Sequence, residues 1–94
     1  VNYEGLFIVR PDLEKEAQDQ SIESIKEEII KREGKIEAVQ GPDKKQLAYP
    51  IKKYNEGLYC LLNFTISSGK LQEINKVYKL NNALLRHFIL KKEV

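Results

Sequence analysis

The chain has 94 residues, of which 41% are hydrophobic and 32% charged, with a formal net charge of +2. That length suits one core and not two, so a single domain over residues 1–94 is expected. No apolar run approaches the roughly 18–20 residues of a membrane-spanning helix. The opening stretch, VNYEGLFIVRP, has no basic leader and no small-residue cleavage site, so no secretory signal is expected. The single cysteine, Cys60, has no internal disulfide partner, which fits a reducing compartment such as the cytosol.

YEGLFIV, from Tyr3 to Val9, is a short apolar run closed by Arg10-Pro11-Asp12, which reads as a strand followed by a helix entry. From Leu13 to Glu33 the apolar Leu13, Ala17, Ile22, Ile25, Ile29 and Ile30 recur at helical spacing among charged residues, and Gly34 supplies a stop. KIEAVQ (Lys35 to Gln40) then alternates, GPDKK interrupts it, and QLAYPI resumes extended structure. Pro50 cannot donate to a ladder, which assigns this broken strand to a sheet edge. KKYNEG (Lys52 to Gly57) reads as a turn. LYCLLNFTI (Leu58 to Ile66) is apolar on both faces, as a central strand would be. Leu71, Ile74, Val77 and Tyr78 follow at spacings of three and four behind Ser67 and Ser68, candidate N-caps for a second helix. LLRHFILKK (Leu84 to Lys92) is a last strand.

The order strand, helix, strand, strand, helix, strand predicts an α+β, ferredoxin-like split β-α-β fold (βαββαβ). It has a four-stranded antiparallel sheet and two helices on one face. Right-handed crossovers place strands one and three centrally. Alternation then turns Phe7, Val9, Cys60, Leu62, Phe64 and Ile89 toward the helices. The other face presents Glu4, Leu6, Ile8, Arg10, Tyr59, Leu61, Asn63, Arg86, Phe88 and Leu90, with no helix to cover it. Six of these are large and apolar, and an uncovered patch of that kind marks an interaction surface.

Catalytic chemistry finds little support. Nucleophilic catalysis needs a base within hydrogen-bond reach, yet Cys60 and His87, the one cysteine and the one histidine, fall on different strands. Cys60 reads as a small core hydrophobe. A structural zinc site would need four Cys/His ligands, and neither the dinucleotide fingerprint nor the phosphate-loop motif occurs. No cofactor and no metal are expected. Glu23, Glu27 and Glu28 lie among Lys26, Lys31 and Arg32 as a charge-laced helix surface. The base-stacking signature of RNA-recognition motifs also fails, because EGLYCLLNF puts Leu58 and Cys60 where aromatics belong.

The charge is strongly divided. Residues 1 to 43 hold 6 Lys/Arg against 11 Asp/Glu, and residues 44 to 94 hold 10 against 3. A near-neutral total therefore conceals a basic half able to attract phosphates.

YEGLFIVRPDL, LAYPIKKYNEGLY and LLRHFILKKE together span nearly the whole chain, and in them it resembles the bacterial small-subunit ribosomal protein S-six family. The resemblance implies the same fold, no reaction, and a cytoplasmic, ribosomal role. In that role the protein binds the central domain of small-subunit ribosomal RNA cooperatively with ribosomal protein S-eighteen during subunit assembly, and is a monomer when free. By position, Arg86, His87, Lys91 and Lys92 become candidates for RNA contact. Leu6, Ile8, Tyr59, Leu61, Phe88 and Leu90 would seat the protein partner. Gln46 stands where the family commonly has arginine and Asp43 where it commonly has glycine, which leaves Lys44 and Lys45 to supply charge in that loop. Lys52 and Lys53 either bind phosphate or keep the turn soluble, and Lys53 is carried as an RNA-binding candidate.

Two other functions fit the fold class. An acyl-phosphate hydrolase would need free backbone amides after the first strand, where Pro11 removes a donor and Asp12 repels an anion; Arg10 and Asn63 are its only support. A regulatory ligand-binding domain would dimerise through the open face.

Overall fold

Alternation in the first strand is realised in β1 (Asn2–Val9), where Tyr3, Phe7 and Val9 are buried on one side while Glu4 and Leu6 are half-buried on the other. This is a computed structural model describing residues 2–92. Helix α1 (Lys15–Lys31) starts two residues later than its apolar spacing suggested, with Glu14 as the N-cap. Leu13 stays outside it, its carbonyl accepting from Gln18 Nε2 at 2.8 Å. Ile22, Ile25 and Ile29 are buried. Ile30, expected on the same face, is turned about 100° from Ile29 by the helix pitch and is largely exposed.

The stop after α1 differs from the simple glycine cap. Glu33 takes the left-handed position with φ 66°. The Glu33 amide donates to the Ile30 carbonyl and the Gly34 amide to that of Ile29, the paired bonds of a Schellman ending. Gly34 is needed one residue further on for space, since a Cβ there would lie 2.8 Å from the Ile29 carbonyl oxygen and 2.9 Å from that of Thr65.

The middle of the chain is a long hairpin of β2 (Lys35–Ile51) and β3 (Tyr54–Thr65). The ladder runs from Lys35 opposite Thr65 to Ile51 opposite Tyr54, so seventeen residues face twelve. The five surplus residues fall into three irregularities: one between Ile36 and Ala38, one at Gly41-Pro42, and three between Gln46 and Ile51. GPDKK therefore does not break the strand; a bulge absorbs its extra residue. The expected six-residue turn contracts to Lys52-Lys53, because Tyr54, Glu56 and Gly57 already pair with β2. Both turn residues have positive φ, 49° and 72°, the requirement of a type I′ hairpin that Asn-Gly normally meets.

Helix α2 (Ser68–Lys79) begins behind Ser67 as N-cap, although that side chain makes no capping bond. It buries Ile74 and Tyr78, and the Tyr78 hydroxyl donates to the Ile25 carbonyl of α1 at 2.6 Å. β4 (Leu84–Lys91) pairs antiparallel with β1, and the sheet order is β2-β3-β1-β4. Strands one and three are thus central, and Pro50 lies on an edge strand as expected. The main core joins Phe7, Val9, Cys60, Leu62 and Phe64 of the sheet to the isoleucines of α1 and to Ile74 and Tyr78 of α2.

A second cluster lies at one end of the other sheet face. Ile8, Ile51 and Leu85 are buried there against Leu47, Tyr54 and Tyr59. The three-residue surplus before Ile51 permits this, because it lets Leu47 to Pro50 leave the ladder and brings Leu47 onto the cluster.

Two substitutions test the backbone account. Lys53→Gly relieves a left-handed L-residue, roughly 1–2 kcal/mol, less an entropic cost of about 0.5–1 kcal/mol, so the thermal midpoint rises by a few degrees. Gly34→Ala lowers it, because neither carbonyl oxygen near its Cβ belongs to a movable side chain. Scanning calorimetry of both variants gives the two signs.

Candidate nucleic-acid and protein interface

Strand register sorts the open face into three cross-strand rows. Tyr59, Ile8 and Arg86 form one, Leu61, Leu6 and Phe88 the next, and Asn63, Glu4 and Leu90 the third. The middle row is apolar across β3, β1 and β4 and meets the polar Gln40 on β2. Phe88 is 50% and Leu90 67% exposed, whereas Leu6, Tyr59 and Leu61 are half-buried. Ile8, expected to meet a partner, departs from that expectation. It is only 3% exposed, because Leu47, Ile51 and Tyr59 already pack over it. Its role is to support the surface from below. The surface gains Leu47, Ala48 and Tyr49 of the hairpin, which join Leu6, Phe88 and Arg86 around a depression of about 160 Å³. Strict alternation could not reveal these residues, since three bulged residues hide their phase; Pro50 inside a strand was the one sign of it.

The basic candidates do not form one patch. Arg86 is exposed at the start of β4, while Lys91 and Lys92 lie at its other end, five or more residues and about 17 Å away. Lys92 Nζ reaches Asn63 Oδ1 at 3.4 Å. Lys44 is paired with Glu56 at 3.2 Å, and its opposite neighbour, Leu58, belongs to the helix-side core. The Lys45 ammonium lies 5.7 Å from the Tyr59 ring centre, so it sits over the open face as a cation–π contact. Lys53 is exposed at the hairpin tip.

His87 turns to the helix side. Its ring stacks on Phe7, meets Tyr78 edge-on, and places Nε2 3.2 Å from Asn75 Oδ1. Burial lowers its pKa from 6.5, leaving it neutral at pH 7. It therefore offers phosphate no full charge. Burial likewise pushes the Cys60 thiol up, away from the thiolate that chemistry would require.

The loop after β1 is closed rather than open to phosphate. Arg10 Nε and Nη2 contact the two Asp12 carboxylate oxygens at 3.1 and 2.9 Å. The Tyr54 hydroxyl donates to Asp12 at 2.9 Å, fastening the hairpin to this loop. Hydrogen bonds from Arg10 first and Tyr54 second hold the Asp12 carboxyl below its usual range. Asn63 lies opposite Glu4, six residues from Arg10 along the chain and thus about 20 Å away in an extended strand. The two residues needed for an acyl-phosphate site cannot share one substrate. Among the described residues no group of three or more His, Cys, Asp or Glu could hold a metal ion, and no helix is long and apolar enough to cross a membrane.

The family model for ribosomal protein S6 matches residues 2–91. The chain belongs to the ribosomal protein S6 family. Among its relatives, the small ribosomal subunit protein bS6 of Clostridium novyi is 38% identical over 92 residues, covering 98% of this chain and 97% of that protein. The bS6 of Caldanaerobacter subterraneus is 37% identical over 90 residues, covering 96% and 95%. The crystal structure of the 30S ribosomal protein S6 from Thermotoga maritima superposes with a TM-score of 0.91 at 32% identity, over 97% of this chain and 86% of that one. The ferredoxin-like architecture is thus that of a solved S6 structure.

The surroundings of His87 set a pH dependence. Its pKa is depressed in the folded protein, so below about pH 6.5 the unfolded chain binds more protons and stability falls with pH. Urea midpoints of the parent and of His87→Gln, compared between pH 7 and 5, show a loss in the parent that is diminished in the variant.

Proposed function

We propose that this S6-family chain is a structural constituent of the small ribosomal subunit, working in the cytoplasm without catalysing a reaction. It binds the central domain of the subunit's RNA through its basic residues. It binds ribosomal protein S-eighteen through the open face, and is a monomer until that partner arrives. The observation that carries this reading is the uncovered apolar row Leu61–Leu6–Phe88, flanked by Leu90. A sheet face without helices exposes such a row at a cost unless something covers it. Family membership supplies the ribosomal setting, and the concentration of cations in residues 44 to 94 supplies attraction for phosphate. The half-buried, stacked His87, the raised Cys60 thiol and the closed Arg10–Asp12 loop support the absence of catalysis.

Binding to a transcript of the central-domain junction, with and without S-eighteen, tests the reading. Tight binding that requires the partner and weakens with salt supports it; no binding in either condition overturns it. Phe88→Ala combined with Leu90→Ala separates recognition from folding. Both side chains are at least half exposed, so stability changes by about 0.5 kcal/mol or less per site. Partner-dependent binding falls about tenfold or more, the roughly 1.4 kcal/mol expected when two apolar anchors at the centre of an interface are truncated together.

A further inference from the structure

Lys52 from the hairpin turn, Lys79 from the last turn of α2 and Arg86 from β4 line one open cleft of about 430 Å³, with Tyr78, Leu84, Leu85 and His87 completing its walls. Among the described residues no carboxylate lines it. Among the described residues, Lys52, Lys79 and Arg86 pair with no acid, a state they share with cations such as Lys15 and Lys31, so it is their gathering in one cleft that counts. Three positive groups gathered from three elements repel one another unless an anion enters. The negative end of α2 contributes only about half a unit charge, too little to neutralise them.

Backbone conformation points the same way. Lys52 and Lys53 hold positive φ in a turn that Asn-Gly would occupy with less strain. Strain retained by long basic side chains directs attention to what those side chains contact. The two lysines also diverge, Lys52 lining this cleft and Lys53 a separate hollow with Pro11, Gln46 and Tyr54. All three cations of the cleft are exposed, so they can reach outward to an extended anion. A small free anion would be loosely held by side chains so spread and so wet. A polyanion with phosphates at regular intervals can meet several at once, and Arg86 can take one oxygen pair in bidentate fashion.

We infer that the cleft between the hairpin turn, the end of α2 and the start of β4 seats consecutive phosphates of an RNA backbone, with Lys52 and Lys79 as contacts alongside Arg86. This rests on the RNA-binding reading above and adds to it a defined seat.

The test is the salt dependence of binding to the junction transcript in the presence of S-eighteen. Lys52→Asn with Lys79→Gln removes two charges while keeping a residue that tolerates positive φ, so the variant's thermal midpoint is not lowered. Losing two phosphate contacts reduces the slope of log affinity against log salt by roughly 1.4–1.8. The parent's advantage over the variant then shrinks about tenfold between 50 and 200 mM salt. Lys15→Gln with Lys31→Gln, two exposed lysines at either end of α1, removes the same charge and leaves the slope unchanged. An unaltered slope in the cleft variant, with the parent still binding, overturns the cleft alone. A parent that does not bind the transcript overturns the RNA reading with it. A saturable site for inorganic phosphate on the free protein, together with an unaltered RNA slope, would make the cleft a small-anion site and overturn the proposal as well.

Discussion

Seventeen residues of β2 must lie beside twelve of β3, and much of the working surface stems from that mismatch. A ladder admits extra residues only as bulges, and each odd insertion reverses the facing of the residues after it. The three-residue surplus before Ile51 releases Leu47 to Pro50 from the ladder and brings Leu47 onto one end of the sheet. Ile8, Ile51 and Leu85 become a second, smaller core there. The hairpin is also held from the side, where Tyr54 reaches Asp12 across 42 positions of sequence. A shorter β2 would leave that end of the sheet bare and its apolar residues without cover.

The helix-facing core was legible because it obeys simple periods. Phe7, Val9, Cys60, Leu62 and Phe64 alternate, Ile22, Ile25 and Ile29 recur at helical spacing, and all eight are buried. The order of elements and the central position of strands one and three followed from handedness and length. What the periods could not convey were the departures from them. Ile8 has the phase of the open face yet is buried by a segment that bulges back over it. His87 has the charge neighbourhood of a binding residue, but its phase on β4 turns it toward Asn75 and Tyr78. Glu33 and Lys53 adopt left-handed backbone that composition would assign to glycine or asparagine.

Charge and apolar surface divide the labour of this fold by element. Acidic residues concentrate in the first 43 positions, where those of α1 coat a helix that already buries its isoleucines. The basic half supplies the hairpin, the end of α2 and β4. Lysines along the hairpin serve different ends: Lys44 is neutralised by Glu56, Lys45 rests on Tyr59, and the two at the tip point away from one another. A raw count of cations therefore overstates what is available to a polyanion, and the pairing of each cation decides its use.

The apolar row Leu61–Leu6–Phe88 has a consequence for how the molecule comes into being. Its three members are contributed by the third, first and fourth strands, from positions near the beginning, beyond the middle and close to the end of the chain. The hairpin can close from local sequence alone, but this row exists only after strands far apart in the chain have met. An incompletely synthesised or half-folded molecule has the residues without the surface. Whatever recognises the row recognises a finished fold, so any contact made through it also certifies that folding is complete.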